Sequence, residues 1–195
     1  SEGCHSCPPA EAWFRKLESH PEVFKKFVPL VFHVSYWDYL GWKDPYADEK
    51  FNQRQRSYGR TLQQRSIYTP GGYANGREWK TKGGWYGPAQ YPSTQDNPGA
   101  IEISQITENK FRVKFEGQIS QPVLHIGLLG FNLRSQVTSG ENDGKLLEHD
   151  FVVLEHQKAA GKTTQIFELK QRHNLQRQGL AAWVSHANNP KPLQA

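Results

Sequence analysis

The sequence has no methionine, no second pair of cysteines beyond Cys4 and Cys7, and no apolar run near the roughly 18 residues that a membrane-crossing helix needs. Each absence removes a class of function. Without the long apolar run there is no helical membrane span. A structural zinc site usually takes four ligands, and the eight histidines show no H-x3–5-H spacing that would complete one with a single C-x-x-C. The net charge of +5 is modest and spread along the chain. Its densest basic stretch, Arg54, Arg56, Arg60 and Arg65, alternates with Gln and Tyr as on a solvated helix face. No tight basic cluster or recognisable module marks a nucleic-acid partner. There is also no signal peptide and no initiating methionine, so the expectation is a leader already removed or a trimmed N-terminus.

What is present is an ordinary soluble composition, 36% hydrophobic and 22% charged, with a C-x-x-C at the very start. The segment Ser1-Glu2-Gly3-Cys4-His5-Ser6-Cys7-Pro8-Pro9-Ala10 runs into a helical pattern. Trp13, Phe14 and Leu17 lie on one face, and Arg15, Lys16 and Glu18 on the other. A C-x-x-C at a helix mouth faces unpaired N–H groups and the positive end of the dipole, which favour thiolate over thiol. Cys4 is then the attacking sulfur, and Cys7 resolves the mixed disulfide. His5 between them would stabilise the Cys4 thiolate when protonated. Two rivals stand beside this reading. A disulfide closing so short a loop would stabilise a fold little. Copper could be held by Cys4, Cys7 and a histidine such as His33, since thiolate and imidazole suit that metal.

Further along, Pro29–Val34 is almost all apolar and suits a strand buried on both faces of a parallel sheet. The aromatic stretch Ser35–Tyr46 follows. Loops after parallel strands line the crevice of such sheets, so Trp37, Asp38 and Trp42 are candidates for a substrate groove. Asp48 to Leu62 reads as a second helix capped by Asp48. Asn75-Gly76 signals a hairpin whose first strand is opened by Pro70. From Lys80 to Gly99 glycine and proline break all periodicity, which marks a boundary. Beyond it, Ile101–Ser104, Phe111–Phe115 and Thr164–Leu169 alternate at period two, as half-buried antiparallel strands do. Pro122–Leu129, Phe151–Glu155 and Leu180–Ser185 read as further strands, and the whole suggests a β-sandwich. The histidines there (His125, His149, His156, His173 and His186) are scattered and read as surface or satisfied residues.

Several motifs carry a resemblance. They are the C-x-x-C-P-P start, Phe32-His33-Val34-Ser35-Tyr36-Trp37-Asp38-Tyr39-Leu40-Gly41-Trp42-Lys43-Asp44-Pro45, Tyr68-Thr69-Pro70, and Gly140-Glu141-Asn142-Asp143-Gly144 running on to His149-Asp150-Phe151-Val152-Val153. Together they resemble a family of secreted bacterial thioredoxin-like proteins catalogued only as a domain of unknown function. The resemblance implies an α/β thioredoxin-like domain followed by an all-β sandwich, and a periplasmic or secreted location. Its boundaries here would be a thioredoxin-like domain at 1–82, a linker at 83–99 and a β-sandwich at 100–195. It makes Cys4 and Cys7 the redox pair, Pro70 the cis-proline beside it, and Thr69 the residue whose backbone pairs with a bound peptide. Such domains open with a strand leading into the C-x-x-C, and none precedes Ser1 in this sequence. Where the family often carries an acid this chain has Ser35, which leaves Asp38, His33 or water for proton transfer.

The expected function is thiol–disulfide exchange on a protein or small thiol, with no cofactor. One alternative is a copper-binding or metallochaperone module using Cys4, Cys7 and His33. The other is a partner-binding protein with a vestigial disulfide.

Overall fold

The computed structural model describes residues 1–80, 84–87, 98–170 and 175–195. Helix α1 spans Pro8–Arg15 and tightens into a 3₁₀ turn at Lys16–Ser19. Proline suits its first positions, where the missing N–H would have found no intrahelical acceptor. Helix α2 spans Glu49–Thr61, and the Asp48 side chain caps it by accepting from Lys50 N. Two short strands, β1 (Tyr73–Ala74) and β2 (Arg77–Glu78), close over Asn75-Gly76. Both turn residues have positive φ, 48° and 74°, as a type I′ turn requires.

The remaining strands build the body of the molecule. They are β3 (Gly99–Gln105), β4 (Lys110–Gly117), β5 (Pro122–Phe131), β6 (Leu133–Gln136), β7 (Leu146–His149), β8 (Val152–Ala160), β9 (Thr164–Glu168), β10 (Arg177–His186) and β11 (Asn189–Gln194). One sheet has the order β11-β10-β5-β8, a second β3-β4-β9, and β6 pairs with β7. Strand β5 is buried along all ten residues. Its Leu124, Ile126 and Leu128 meet Phe111, Val113 and Phe115 of β4 in one apolar core. Its Leu129 and Phe131 pack on the other side with Trp13 and Leu17, Phe51 of α2, and Phe151. That double burial explains the unbroken apolar run. Each such side chain contributes about 1.5–3 kcal/mol when removed from water.

The α/β thioredoxin-like domain expected of residues 1–82 does not form. Residues 1–72 hold two α-helices and short 3₁₀ turns but no strand, and every strand pair among the described residues is antiparallel. The molecule is mostly β, in four small sheets. The reason lies in where the amides of the expected strand go. Val31 makes one parallel bridge to Val152. Val34 N then donates to Ser1 Oγ at 2.8 Å, and Ser35 N to Asn52 Oδ1 at 2.9 Å. Amides taken up by side chains have no ladder to extend. The expected linker falls largely outside the described residues, because 83 and 88–97 are not among them. Residues on either side of it interlock: Tyr58 Oη donates to Pro190 O at 2.8 Å, and Arg15 Nε meets Asp150 Oδ2 at 3.1 Å.

Candidate functional site at the Cys4–Cys7 disulfide

Cys4 and Cys7 form a disulfide at the mouth of α1, with Cys7 as its N-cap residue. Cys7 N donates to Cys4 O at 3.1 Å, and Glu11 N to Cys7 O at 3.1 Å, so the turn feeds directly into the helix. Residues far along the chain hold this turn. The buried Asn142 donates through Nδ2 to Glu2 O at 2.7 Å and to Cys4 O at 3.0 Å. His5 N donates to Glu141 Oε2 at 2.9 Å. Gly3 is required by close approach, since a Cβ there would sit 2.7 Å from Trp37 Cβ.

The sulfur of Cys4 has a hydroxyl aimed at it. Thr69 Oγ1 donates to Cys4 Sγ at 3.1 Å and accepts from Trp37 Nε1 at 2.9 Å. An indole N–H can only donate, so the hydroxyl proton of Thr69 is left for the sulfur. Ser6 Oγ lies 3.5 Å from the same sulfur, and the Thr69–Pro70 bond is cis. Both cysteines are 2% exposed. Cys7 nevertheless lines a cavity of about 930 Å³, together with Glu11, Trp13, Thr69 and Pro70, while Cys4 does not. His5 is exposed.

Trp37, Asp38 and Trp42, the expected groove residues, do not line that cavity. Trp37 stands behind Thr69. Asp38 Oδ1 accepts from Asp44 N at 3.4 Å, and Trp42 Nε1 donates to Glu2 Oε2 at 2.7 Å. These side chains brace the turn rather than face the opening.

A buried polar cluster lies behind the disulfide. His33 Nδ1 is 2.8 Å from Asp44 Oδ2, and its Nε2 is 3.8 Å from Glu11 Oε1. His149 bridges two acids, with Nε2 at 2.9 Å from Glu2 Oε1 and Nδ1 at 2.5 Å from Glu11 Oε2. Burial alone would lower the pKa of His149, but Glu11 and Glu2 outweigh it and raise it to about 9. Burial would raise that of Asp44, yet His33 beside it holds it to about 2. Glu11, His33 and His149 each offer a ligand atom within 4.8 Å of the others, the one such trio among the described residues. His33 is thus turned toward Glu11 and Asp44, and the cysteines are paired with each other. His149 and Asn142 were not singled out by sequence. Both stand within the motif from Gly140 to Val153 that carries the resemblance, and no local pattern ties His149 to His33. His173 lies outside the described residues.

A second group, with His125 and Trp183 buried and His156 half-buried, sits on β5, β8 and β10. His125, His156 and Trp183 lie within 13° of parallel, and the Arg54 guanidinium is 5.5 Å from the Trp183 ring. Burial first, and then His156 and Arg54, lower the pKa of His125 to about 2. Burial and Arg54 lower that of His156 to about 3.

From the disulfide to His149 these features fall inside residues 1–185, which match a family model described as "Protein of unknown function (DUF1223)". The chain belongs to the DUF1223 family. Among solved structures it is similar to the crystal structure of protein AGR_C_4864 from Agrobacterium tumefaciens, a structural-genomics target. The two share 23% identity and a TM-score of 0.61 over 87% of this chain and 74% of that one, a likeness of fold. No curated protein matches this DUF1223 chain at a significant level.

Proposed function

We propose that Cys4 and Cys7 exchange electrons with thiols or disulfides of a protein or small-molecule substrate. The observation that carries this reading is the asymmetry around the two sulfurs. Cys4 Sγ receives the Thr69 hydroxyl, while Cys7 lines the cavity at the helix mouth. That asymmetry favours Cys7 as the sulfur that meets substrate, reversing the order expected from sequence. A substrate thiolate attacks Cys7 Sγ, and the Cys4–Cys7 bond breaks with its electron pair on Cys4. The Thr69 hydroxyl stabilises the thiolate formed there. A second substrate thiolate then attacks the substrate sulfur of the mixed disulfide and releases Cys7. The substrate leaves as a disulfide, oxidised by two electrons; Cys4 and Cys7 are left as thiols after taking up two protons. In the reverse direction the reduced protein attacks through Cys7, where the helix start favours the thiolate. A lasting disulfide goes with an oxidising compartment, so a periplasmic or secreted location is part of the proposal.

The test is trapping. Cys4→Ala incubated with an oxidised dithiol peptide should accumulate a mixed disulfide at Cys7, seen by mass spectrometry, and Cys7→Ala should accumulate far less. A wild-type disulfide that dithiothreitol reduces only when the protein unfolds would sink the proposal.

A further inference from the structure

One turn of α1 beyond Cys7, two imidazoles and a carboxylate converge in the interior. Glu11, His33 and His149 are all buried, and their ligand atoms lie within 4.8 Å of one another. They come from α1, from the segment before α2, and from the end of β7.

Each imidazole is fixed from behind by a different acid. Asp44 Oδ2 holds His33 Nδ1 at 2.8 Å, and Glu2 Oε1 holds His149 Nε2 at 2.9 Å. The acids are themselves held: Asp44 accepts from Glu2 N at 2.8 Å and Tyr46 N at 2.9 Å, and Glu2 from Trp42 Nε1 at 2.7 Å. A carboxylate on one ring nitrogen orients the ring and makes the opposite nitrogen a better ligand. For His33 that opposite nitrogen is Nε2. It is fully buried and has no hydrogen-bond partner among the described residues, with Glu11 Oε1 beyond reach at 3.8 Å. Native interiors seldom leave such an atom unpaired without something to complete it.

We propose that Glu11, His33 and His149 form a binding site for a divalent first-row transition-metal ion, zinc being the best match. Two histidines and one carboxylate are a recurring donor set for zinc and for non-haem iron, with positions left for further ligands. Glu11 also lines the cavity, which gives an ion a route to the site. The Ser1 main-chain nitrogen, 2.9 Å from Glu11 Oε1, is the present partner of that oxygen. No sulfur takes part, because both cysteines are in the disulfide.

The experiment uses the full chain with its disulfide intact, stripped by chelator and titrated with Co²⁺ alone and then Zn²⁺. One equivalent of Co²⁺ should bind, giving ligand-field bands without a thiolate charge-transfer band, and Zn²⁺ should displace it. His33→Gln and Glu11→Gln should each abolish stoichiometric binding. Asp44→Asn, which removes the acid behind His33, should weaken it about 10–100-fold. His156→Gln should leave it unchanged. Should the ligand variants fail to fold, imidazole ¹⁵N spectra of the wild type identify the site, because Zn²⁺ should shift His33 and His149 and no other histidine. Absence of saturable Co²⁺ binding by the wild type would overturn the proposal and leave a metal-free ionic network. So would zinc-shifted signals from other histidines.

Discussion

The indole nitrogen of Trp37 lies 2.9 Å from Thr69 Oγ1, and that oxygen lies 3.1 Å from Cys4 Sγ. The indole occupies an acceptor position on the hydroxyl and turns its proton toward the sulfur. Hydrogen bonds to charged groups are worth about 1.5–3 kcal/mol, and one pH unit of titration corresponds to 1.36 kcal/mol. Thr69→Val should therefore move the pH midpoint of iodoacetamide labelling of reduced Cys4, read in Cys7→Ala, upward by about one to two units. Trp37→Phe should move it in the same direction by less, since the hydroxyl remains but is free to rotate. An unmoved midpoint in Thr69→Val would remove the hydroxyl from the chemistry.

A methyl group at position 3 is the second prediction. A Cβ on Gly3 would stand 2.7 Å from Trp37 Cβ and 3.3 Å from its carbonyl oxygen, so the two segments must part. Overpacking of this kind costs about 1–3 kcal/mol. Gly3→Ala should lower the urea midpoint accordingly. By displacing Trp37 it should also slow reduction of the disulfide by a dithiol.

Third, Arg15 ties α1 to the corner between β7 and β8. It meets Asp150 at 3.1 Å and Glu148 at 2.5 Å. Asp150 is buried, and its other carboxylate oxygen accepts from Asn132 N at 2.8 Å. Removing the guanidinium leaves a buried carboxylate short of a partner, a loss of about 1–3 kcal/mol. Arg15→Ala should show it as a lower urea midpoint. Adding Asp150→Asn should recover part of the loss, because the remaining group is then neutral.

Acid sensitivity is the fourth. His125 and His156 share a contact of 3.0 Å between ring nitrogens, and Ser185 Oγ sits 2.9 Å from the other nitrogen of His125. Arg54, Lys158 and Lys50 are the charged groups that bear on the pair. Both histidines stay neutral in the folded protein down to about pH 2–3. In the unfolded chain they take up protons near pH 6.5. The unfolded state thus binds more protons below pH 6.5, and stability falls as pH falls from there toward 3. Full uptake by both would give a slope of about 2.7 kcal/mol per pH unit. Urea unfolding between pH 7 and 4 should show the decline, and His156→Gln should flatten it. The wild type keeping its full stability at pH 4 would contradict the assignment.

The parts of the molecule that could be read in advance are the local ones. Pro8-Pro9 after the cysteines, Asp48 before α2, and Asn75-Gly76 between two short strands each act within a few residues. Alternation in Phe111-Arg112-Val113-Lys114-Phe115 matches β4, where Phe111, Val113 and Phe115 are buried. The exception is Pro29–Val34. An apolar run states that a segment is covered but not what its amides bond to, and here Ser1 and Asn52 side chains take two of them. At the site, Cys4 and Cys7 stand out by chemistry and Thr69 only through the resemblance, and the three meet in space. In the sequence Trp37 reads as an aromatic groove residue, while its N–H is what touches the site. Glu2, Asn142 and His149 could not be connected, because their partners lie more than a hundred residues away in the chain.

That last distance sets a timetable for biogenesis. Asn142 stands 138 residues after Cys4, whose carbonyl it clasps. A ribosome therefore delivers both thiols long before the amide that will fasten their turn. An oxidant that meets the chain before residue 142 is made acts on cysteines whose turn that amide does not yet hold.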